Sequence, residues 1–329
     1  MAKLTALGIF TVAAALVCGG ALSPVPAAAT EQMMDRIHFL VPGGAGGGWD
    51  GGARGVGEAL VKSGLLGNAS FENMSGGGGG KAMVYMIDNA RSNHGTLMIN
   101  STPMIIRGLT GEVKQTFRDM TPVASMLGDY AALVVHKTSP MNTFQDFLEA
   151  YKANPTKVAV GGGSVPGGMD HLVASLVLEA AGLEPLAVKY IPYDAGGTAM
   201  AALLSGEIQA LSTGFSEAIE MAKAEEVKIL GVTAKNRLSE YPGQPTFAEQ
   251  GADMEFVNWR GFFGVPGLPE AEVAEYEKIL SAVLETPAWE EVRARNGWTT
   301  IHHTGADFVQ FLEAQENELR ELMTELGFL

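Results

Sequence analysis

Four glycine-rich loops are the parts of this chain whose residue types could do chemistry. They occupy residues 42–50, 75–80, 161–168 and 194–198. Each loop follows a β-type run and precedes a helix-type run, a geometry that points backbone N–H groups at a ligand with the positive end of a helix dipole behind them. Because glycine has no Cβ, an anion can approach that backbone closely. A single loop of this kind is often only a tight turn, but four together indicate a site for a small anion.

The same loops contain partial matches to nucleotide-binding motifs. Residues 46–51 fit G-x-G-x-x-G, with Glu72 near the place of a ribose-binding acid, but glycine-rich sequence produces this match by chance. Residues 75–82 resemble a phosphate-binding loop, except that Ser75 replaces the first glycine and Ala82 replaces the hydroxyl residue that binds Mg²⁺. We therefore predict no nucleotide and no other cofactor.

Candidate catalytic residues are few. The six histidines show neither metal-ligand spacing nor a paired acid. Pro166 prevents the segment around Ser164 from matching the G-x-S-x-G turn of a hydrolase nucleophile. An enzyme would need a pair of titratable side chains at the loops, which offer mostly amides and hydroxyls. The sequence predicts a protein without catalysis and without a metal site.

Two side chains of the first loop each have two interpretations. Asp50 begins the following helix, so its carboxylate either caps that helix or accepts a hydrogen bond within the binding site. Trp49 either packs beside a hinge or lines the pocket.

The composition excludes several classes of protein. The chain has 329 residues, with 22 basic and 37 acidic side chains and a net charge of −15. Lys and Arg form no cluster, so nucleic acid and an anionic membrane surface are excluded as partners. The 42 glycines follow no G-X-Y period and 47% of the residues are apolar, which fits neither collagen nor a disordered chain.

The N-terminus has the features of an export signal. Lys3 precedes an apolar run over residues 4–22, and three alanines over residues 27–29 follow it. This order predicts a signal peptide over residues 1–29 that is cleaved near Ala29, and hence a periplasmic mature protein.

An uncleaved membrane anchor and a lipidated Cys18 are the two alternatives to cleavage. Glycines and Pro24 weaken the anchor interpretation, and Val17 stands where a lipidation site has a small residue. Cleavage removes Cys18, the only cysteine of the chain, so the mature protein is expected to have no thiol chemistry.

Short β-type runs alternate with helix-type periodicity after the export signal. This alternation predicts βαβ units and an α/β fold with mostly parallel sheets. Strands are expected near residues 36–41, 68–73, 97–100, 123–126, 131–136, 157–160, 188–191, 209–213, 228–233 and 256–265. Helices are expected near residues 51–63, 81–89, 168–181, 197–204, 217–224, 270–284, 288–295 and 307–326, and two more begin at Pro103 and after a Thr143 cap.

The helices after Val265 have no strands left to pair with, so we expect them to pack on the N-terminal sheet. This arrangement predicts two lobes: lobe I from residues 30–130 plus 259–329, and lobe II from residues 131–258. The chain crosses twice between them, and two crossings make a hinge with a ligand cleft between the lobes.

The order and spacing of these segments resemble the substrate-binding proteins of tripartite tricarboxylate transporters, the Bug/TctC family. The resemblance covers nearly the whole chain from about Ile37. The segments that carry it are FLVPGGAGGGWD (39–50), NMSGGGGGKAM (73–83), HGTLMINS (94–101), VGGGSVPGGMDHL (160–172), YIPYDAGGTAMAALLSGEIQAL (190–211), VKILGVTAKNRL (227–238) and WRGFFGVPGLP (259–269).

The resemblance implies a two-lobed periplasmic binding protein of type II, a Venus flytrap in which each lobe is a mostly parallel sheet flanked by helices. It also implies a monomer that binds a small di- or tricarboxylate, with a citrate-like one favoured, and hands it to the membrane components of its transporter. The implied ligand-binding residues are Ala45, Gly46, Gly47, Gly48, Trp49, Asp50, Gly77, Gly78, Gly79, Thr102, Ser164, Gly167, Gly168, Asp194, Ala195, Gly196 and Thr213.

Two residues depart from the common pattern of this family. Trp49 stands where Thr is commoner and resembles the citrate-type binders. Arg260 stands where the family tends to be apolar, either as a partner for an additional carboxylate or as a surface or lobe-bridging residue. Two alternative functions also remain: a ligand-loaded partner of a membrane sensor kinase, and a periplasmic hydrolase.

Overall fold

The computed structural model describes residues 31–329, so the predicted signal peptide lies outside the described part. Ten strands and ten α-helices alternate along it. The strands are β1 (Met34–Val41), β2 (Leu66–Asn73), β3 (Thr96–Ser101), β4 (Thr121–His136), β5 (Ala159–Gly162), β6 (Lys189–Pro192), β7 (Ala210–Gly214), β8 (Val227–Val232), β9 (Val257–Gly264) and β10 (Thr299–Thr300). The helices are α1 (Gly48–Lys62), α2 (Gly80–Asp88), α3 (Thr102–Thr110), α4 (Phe144–Ala153), α5 (Met169–Ala180), α6 (Gly196–Ser205), α7 (Phe215–Lys223), α8 (Glu270–Leu284), α9 (Pro287–Asn296) and α10 (Gly305–Glu325).

The strands form one hydrogen-bonded array that β4 divides into two sheets. The first sheet has β2, β1 and β3 in parallel, then β9 and the first part of β4 in antiparallel pairing, with β10 at β4. In the second sheet β7 and β8 are antiparallel to the last part of β4, and β5 is parallel to β6 and β7. The element order confirms the α/β class. The sheets are mixed because β4 and β9 pass through their centre side by side.

Strand β4 corrects one sequence-based expectation. Two strands were expected, at residues 123–126 and 131–136, but the structure has a single strand of 16 residues. The residues between them read as a turn because they include Gly128 and Asp129. They stay extended because they pair with β9, where Gly128 lies opposite Trp259 and Asp129 opposite Asn258. The chain pairs with the first sheet up to Tyr130 and with the second from Ala131 on. The lobe boundaries at this point stay a prediction.

The C-terminal helices pack on the first sheet, as expected. Phe308 of α10 meets the buried Trp259 of β9 edge to face, with ring centroids 6.0 Å apart. Gly55 of α1 allows an equally close approach, because a methyl group there would lie 2.7 Å from the Trp298 ring that follows α9. The expectation that no strand follows Val265 was wrong, since β10 pairs with Leu127 and Gly128 of β4.

The local helix signals also act as the sequence indicates. Thr143 Oγ1 accepts a hydrogen bond from the Asp146 N–H (3.1 Å), and Asp146 Oδ2 accepts one from the Thr143 N–H (2.9 Å). This reciprocal pair starts α4 at the expected cap. Over residues 31–329, no helix has the length and apolar character that a membrane crossing requires.

Candidate functional site

A cavity of about 150 Å³ lies where the glycine loops of the two sheets meet. This volume is about ten times the ~15 Å³ that one water molecule requires, so the cavity has room for a small organic molecule. Its walls come from the segments that follow β1, β2, β3, β5 and β6, at the carboxyl ends of these strands. Ligands of α/β proteins bind at this edge of a sheet.

Twelve of the predicted ligand-binding residues line this cavity. They are Gly47, Gly48, Trp49, Gly77, Gly78, Gly79, Ser164, Gly167, Gly168, Asp194, Ala195 and Gly196. The other five lie outside its wall: Ala45 and Gly46 are exposed, whereas Asp50, Thr102 and Thr213 are buried. Ligand contact by any of these residues stays a prediction.

Asp50 holds the first loop in shape. Its carboxylate accepts hydrogen bonds from the Gly46 N–H (3.1 Å), from Arg54 Nε (2.8 Å) and from Asn73 Nδ2 (3.1 Å). These contacts tie the start of α1 to the end of β2. Of its two interpretations, the structure therefore supports a role at the helix start and places the carboxylate outside the cavity wall.

Trp49 lines the cavity, which decides between its two interpretations. Its indole Nε1 donates a hydrogen bond of 2.8 Å to Ser101 Oγ. A methyl group on Gly79 would lie 3.1 Å from the indole ring, so the second loop packs directly against it. The indole thus joins the first loop to the end of β3 and to the second loop.

The second loop needs glycine for its backbone conformation. Gly76, Gly77, Gly78 and Gly79 have φ values of 138°, 56°, 55° and 94°, which L side chains rarely adopt. A run of such residues turns successive backbone N–H groups toward one side and forms a concave site that suits an anion.

Ser164 in the third loop is bonded on two sides. Its Oγ lies 3.0 Å from Tyr190 Oη and accepts a hydrogen bond from the Asp170 N–H at 3.0 Å. His171 is occupied differently: its Nδ1 accepts from the Gly167 N–H at 2.9 Å, and its ring stacks on Tyr190. Ser164 therefore bonds to a tyrosine and a backbone amide, and not to a histidine that could act as its base.

Sequence reasoning missed a group of buried charges at one end of the cavity. Arg260 Nη2 donates a 2.8 Å hydrogen bond to Asp129 Oδ2, with both side chains at most 2% exposed. Asp170 and Glu217 also line the cavity, so its wall offers more titratable groups than the expected amides and hydroxyls. The surface position considered for Arg260 is wrong. These residues are far apart in the sequence, and only the paired strands β4 and β9 and the starts of α5 and α7 bring them together.

Burial changes the protonation of these acids. Burial, together with the charge of Glu217, raises the pKa of Asp170 to about 8. Burial also raises the pKa of Glu217 to about 7, against the opposing effects of Arg260 and of the Thr213 hydroxyl that donates to it. The pKa of Asp129 is raised by burial as well, although Arg260 and Ser216 favour its charged form. Near neutral pH this end of the cavity therefore carries protons on part of its carboxyl groups.

Glu217 occupies space that two glycines leave open. A methyl group on either Gly48 or Gly196 would overlap the Glu217 carboxylate, and one on Gly48 would also overlap the Arg260 guanidinium. The absence of a Cβ at these two positions thus lets Glu217 and Arg260 reach the cavity between the first and fourth loops.

The loops contact each other across the cavity. Ser75 Oγ of the second loop donates a 2.6 Å hydrogen bond to Asp194 Oδ1 of the fourth loop. A methyl group on Gly44 would lie 3.0 Å from the Ala195 Cβ, and one on Gly197 would lie 3.0 Å from the Ala45 carbonyl oxygen. The structure therefore has the two sheets closed around the cavity.

A second cationic side chain, Arg107 of α3, also lines the cavity and was not expected from the sequence. It follows Pro103 by one helical turn, which was the only available signal that it faces the same side. Across residues 31–329, no group of three or more His, Cys, Asp and Glu side chains is arranged to hold a metal ion.

A family model described as "Tripartite tricarboxylate transporter family receptor" matches residues 54–328. A curated relative, the protein BugT of Bordetella pertussis, is 25% identical over 305 residues, which are 91% of this chain and 89% of the relative.

Solved structures share the fold. The periplasmic binding protein BugD has a TM-score of 0.79 at 21% identity, covering 89% of this chain and 98% of BugD. MatC of Rhodopseudomonas palustris, solved with bound malate, has a TM-score of 0.75 at 20% identity, covering 87% of this chain and 98% of MatC. An R. palustris protein solved with adipate has a TM-score of 0.78 at 20% identity, covering 89% of this chain and 97% of that protein. These likenesses confirm the predicted fold of a two-lobed binding protein.

Proposed function

This chain belongs to the tripartite tricarboxylate transporter receptor family, and from that premise we propose that it is a periplasmic protein that captures a small organic carboxylate and delivers it to a tripartite tricarboxylate transporter. The proposed ligand is a di- or tricarboxylate, with a citrate-like molecule favoured. The protein acts as a monomer, without catalysis, and its binding site is the cavity between the glycine loops.

The convergence of helix N-termini on one cavity carries this proposal. Helices α1, α2 and α5 begin after the glycines Gly47, Gly79 and Gly168, and α6 begins at Gly196; all four glycines line the cavity. The first amides of a helix have no partner within the helix, and the helix dipole favours negative charge there. A carboxylate is the common biological anion that fits such a site without a phosphate-binding motif.

The charges of the wall support an anionic ligand. The two cationic side chains in the wall, Arg107 and Arg260, are each 2% exposed. The acids beside Arg260 have raised pKa values, so part of them is neutral and able to donate a hydrogen bond to a carboxylate. The structural relatives solved with malate and with adipate hold dicarboxylates of comparable size.

Closure of the two sheets over the ligand is the proposed mechanism. A ligand that contacts loops on both sides has higher affinity for the closed state and shifts the population toward it. The contact between Ser75 and Asp194 belongs to that state. The closed form is then the one that the membrane components of the transporter bind.

Two alternatives share the cavity but differ in its consequence. A sensor kinase that binds the closed form would use the same ligand, so capture of membrane proteins by the loaded protein separates this function from transport. A hydrolase would need the titratable groups that Asp170 and Glu217 supply. Analysis of the ligand after incubation with the purified protein tests this, and turnover would replace the proposal.

A thermal-shift screen of the mature protein tests the proposed function. The panel contains acetate and butyrate, the dicarboxylates succinate, malate and adipate, and citrate. A ligand that binds only the folded protein raises its melting temperature by mass action. We expect a shift with at least one di- or tricarboxylate, confirmed by isothermal titration. Absence of binding across the whole panel would overturn the proposal.

A further inference from the structure

Arg107 is a buried cation at the wall of the cavity. It lies in the last turn of α3, its side chain is only 2% exposed, and it lies beneath the second loop. A methyl group on Gly78 would lie 3.1 Å from Arg107 Nη1 and 3.7 Å from Val165 Cγ2. The bare backbone at Gly78 thus leaves the guanidinium in reach of the cavity between the second and third loops.

This guanidinium has no partner for most of its donors. In the described part of the chain, the buried Nε and Nη2 atoms make no hydrogen bond. The nearest acid that acts on it is Glu112, which is exposed and forms no ion pair with it within residues 31–329. Burial lowers the pKa of Arg107 to about 10, so the group still carries its charge at neutral pH.

The other cationic residue of the wall differs in this respect. Arg260 is paired with the buried Asp129 and lies near Glu217 and Asp170. One end of the cavity therefore has its cation compensated by the protein's own acids, and the end at Arg107 does not. A charge that is buried without a partner is strongly unfavourable, and such a group is normally paired or neutralised.

We infer that Arg107 binds a second carboxylate group of the ligand, so that the protein selects molecules with at least two carboxylates. This inference rests on the proposed function and narrows its ligand class. The guanidinium presents parallel N–H donors that match the two oxygens of a carboxylate. The left-handed backbone of Gly77–Gly79 adds amides on the same side. The ligand thus supplies the anion that the fold omits at this position.

Isothermal titration of wild type and an Arg107→Met variant tests the inference. The probes are the tightest-binding member of succinate, malate, adipate and citrate, and the half-amide of the same molecule, which lacks one carboxylate. We expect wild type to bind the acid at least about tenfold more tightly than the half-amide. In the variant the affinity for the acid should fall about 10- to 100-fold, whereas the half-amide should change less than about threefold.

The melting temperature without ligand separates a binding role from a structural one. Methionine fills similar space and removes a buried charge that has no partner, so the unliganded variant should melt at the same or a higher temperature than wild type. If Arg107 served the fold, the variant would melt lower. Arg107→Lys is the second variant: it keeps the charge, loses the two-pronged contact, and should show an intermediate loss for the acid only.

Arg91→Gln serves as the matched control, because Arg91 is an exposed cation in the turn before β3 and its loss changes the net charge equally. Its affinities should equal those of wild type. A wild-type protein that binds dicarboxylates while Arg107→Met and Arg107→Lys bind them equally well overturns the inference and leaves the proposed function standing. Equal wild-type affinity for acid and half-amide has the same meaning. Absence of any carboxylate binding by wild type overturns both.

Discussion

Ser75 and Asp194 join the two sides of the cavity by a hydrogen bond of 2.6 Å between Oγ and Oδ1, although they are 119 positions apart. One belongs to the loop after β2 and the other to the loop after β6. A bond of this kind exists only when the two sheets are closed. It therefore stabilises the closed state relative to any open one.

Loss of this bond should speed ligand release. For Ser75→Ala we expect the dissociation rate of a bound carboxylate to rise about fivefold, which corresponds to ~1 kcal/mol for one hydrogen bond at a partly exposed site. The association rate should change little because the bond forms after the ligand enters. Stopped-flow measurements give both rates. Ser92→Ala is the control, since Ser92 Oγ donates only to the local Asn89 carbonyl; an unchanged dissociation rate in Ser75→Ala would contradict this role.

Gly47→Val should abolish carboxylate binding while the protein still folds. A Cβ at Gly47 would lie 3.4 Å from both the Ala195 Cβ and the Gly44 carbonyl oxygen, and the branched methyl groups would extend further into the space between the loops. We expect affinity to fall more than about 100-fold in isothermal titration, because a β-branched side chain blocks approach to the backbone. The same substitution at Gly51 is the control, since a Cβ there meets nothing within 4 Å. Wild-type affinity of Gly47→Val would refute the proposed role of this loop.

Carboxylate binding should become tighter as the pH falls from about 8.5 to about 6. Asp170 faces Glu217, Arg260 and Tyr190, and the pKa values of Asp170 and Glu217 are about 8 and about 7. An anionic ligand disfavours the ionised form of either acid, so binding should take up protons. Titrations in buffers of different ionisation enthalpy measure that uptake. Asp170→Asn should reduce it; a pH-independent affinity in wild type would show that neither acid senses the ligand.

The unliganded protein should lose stability as the pH rises from about 4 to about 8. The folded state raises the pKa of Asp170 from 3.8 to about 8, so it binds more protons than the unfolded state between these values. Stability therefore falls with rising pH in this window and levels off above the folded pKa. Asp170→Asn should flatten the decline by an amount on the order of several kcal/mol at pH 8, measured by urea unfolding. Equal slopes in both proteins would contradict the raised pKa.

The local part of this architecture could be predicted from the sequence, since β-type runs that end in glycine loops identify the strands, the helix starts and most of the cavity wall. The Thr143–Asp146 cap is an example, because both partners lie within one turn. The charges were not predictable in this way. Arg260 and Asp129 are 131 positions apart, and only the pairing of β9 with β4 makes them neighbours. Arg107 has no sequence pattern that reveals an unpaired guanidinium.

Strand β4 passes without interruption from one sheet to the other and is paired with β9 from Thr121 to Tyr130. A joint made from two hydrogen-bonded strands resists sliding and twists easily, unlike a pair of loose linkers. We therefore expect opening to be a rotation about one axis near Tyr130 and Ala131, with few other routes available. Such a joint gives every suitable ligand the same final shape. A membrane partner that reads this shape would then respond to occupancy and need no contact with the ligand itself.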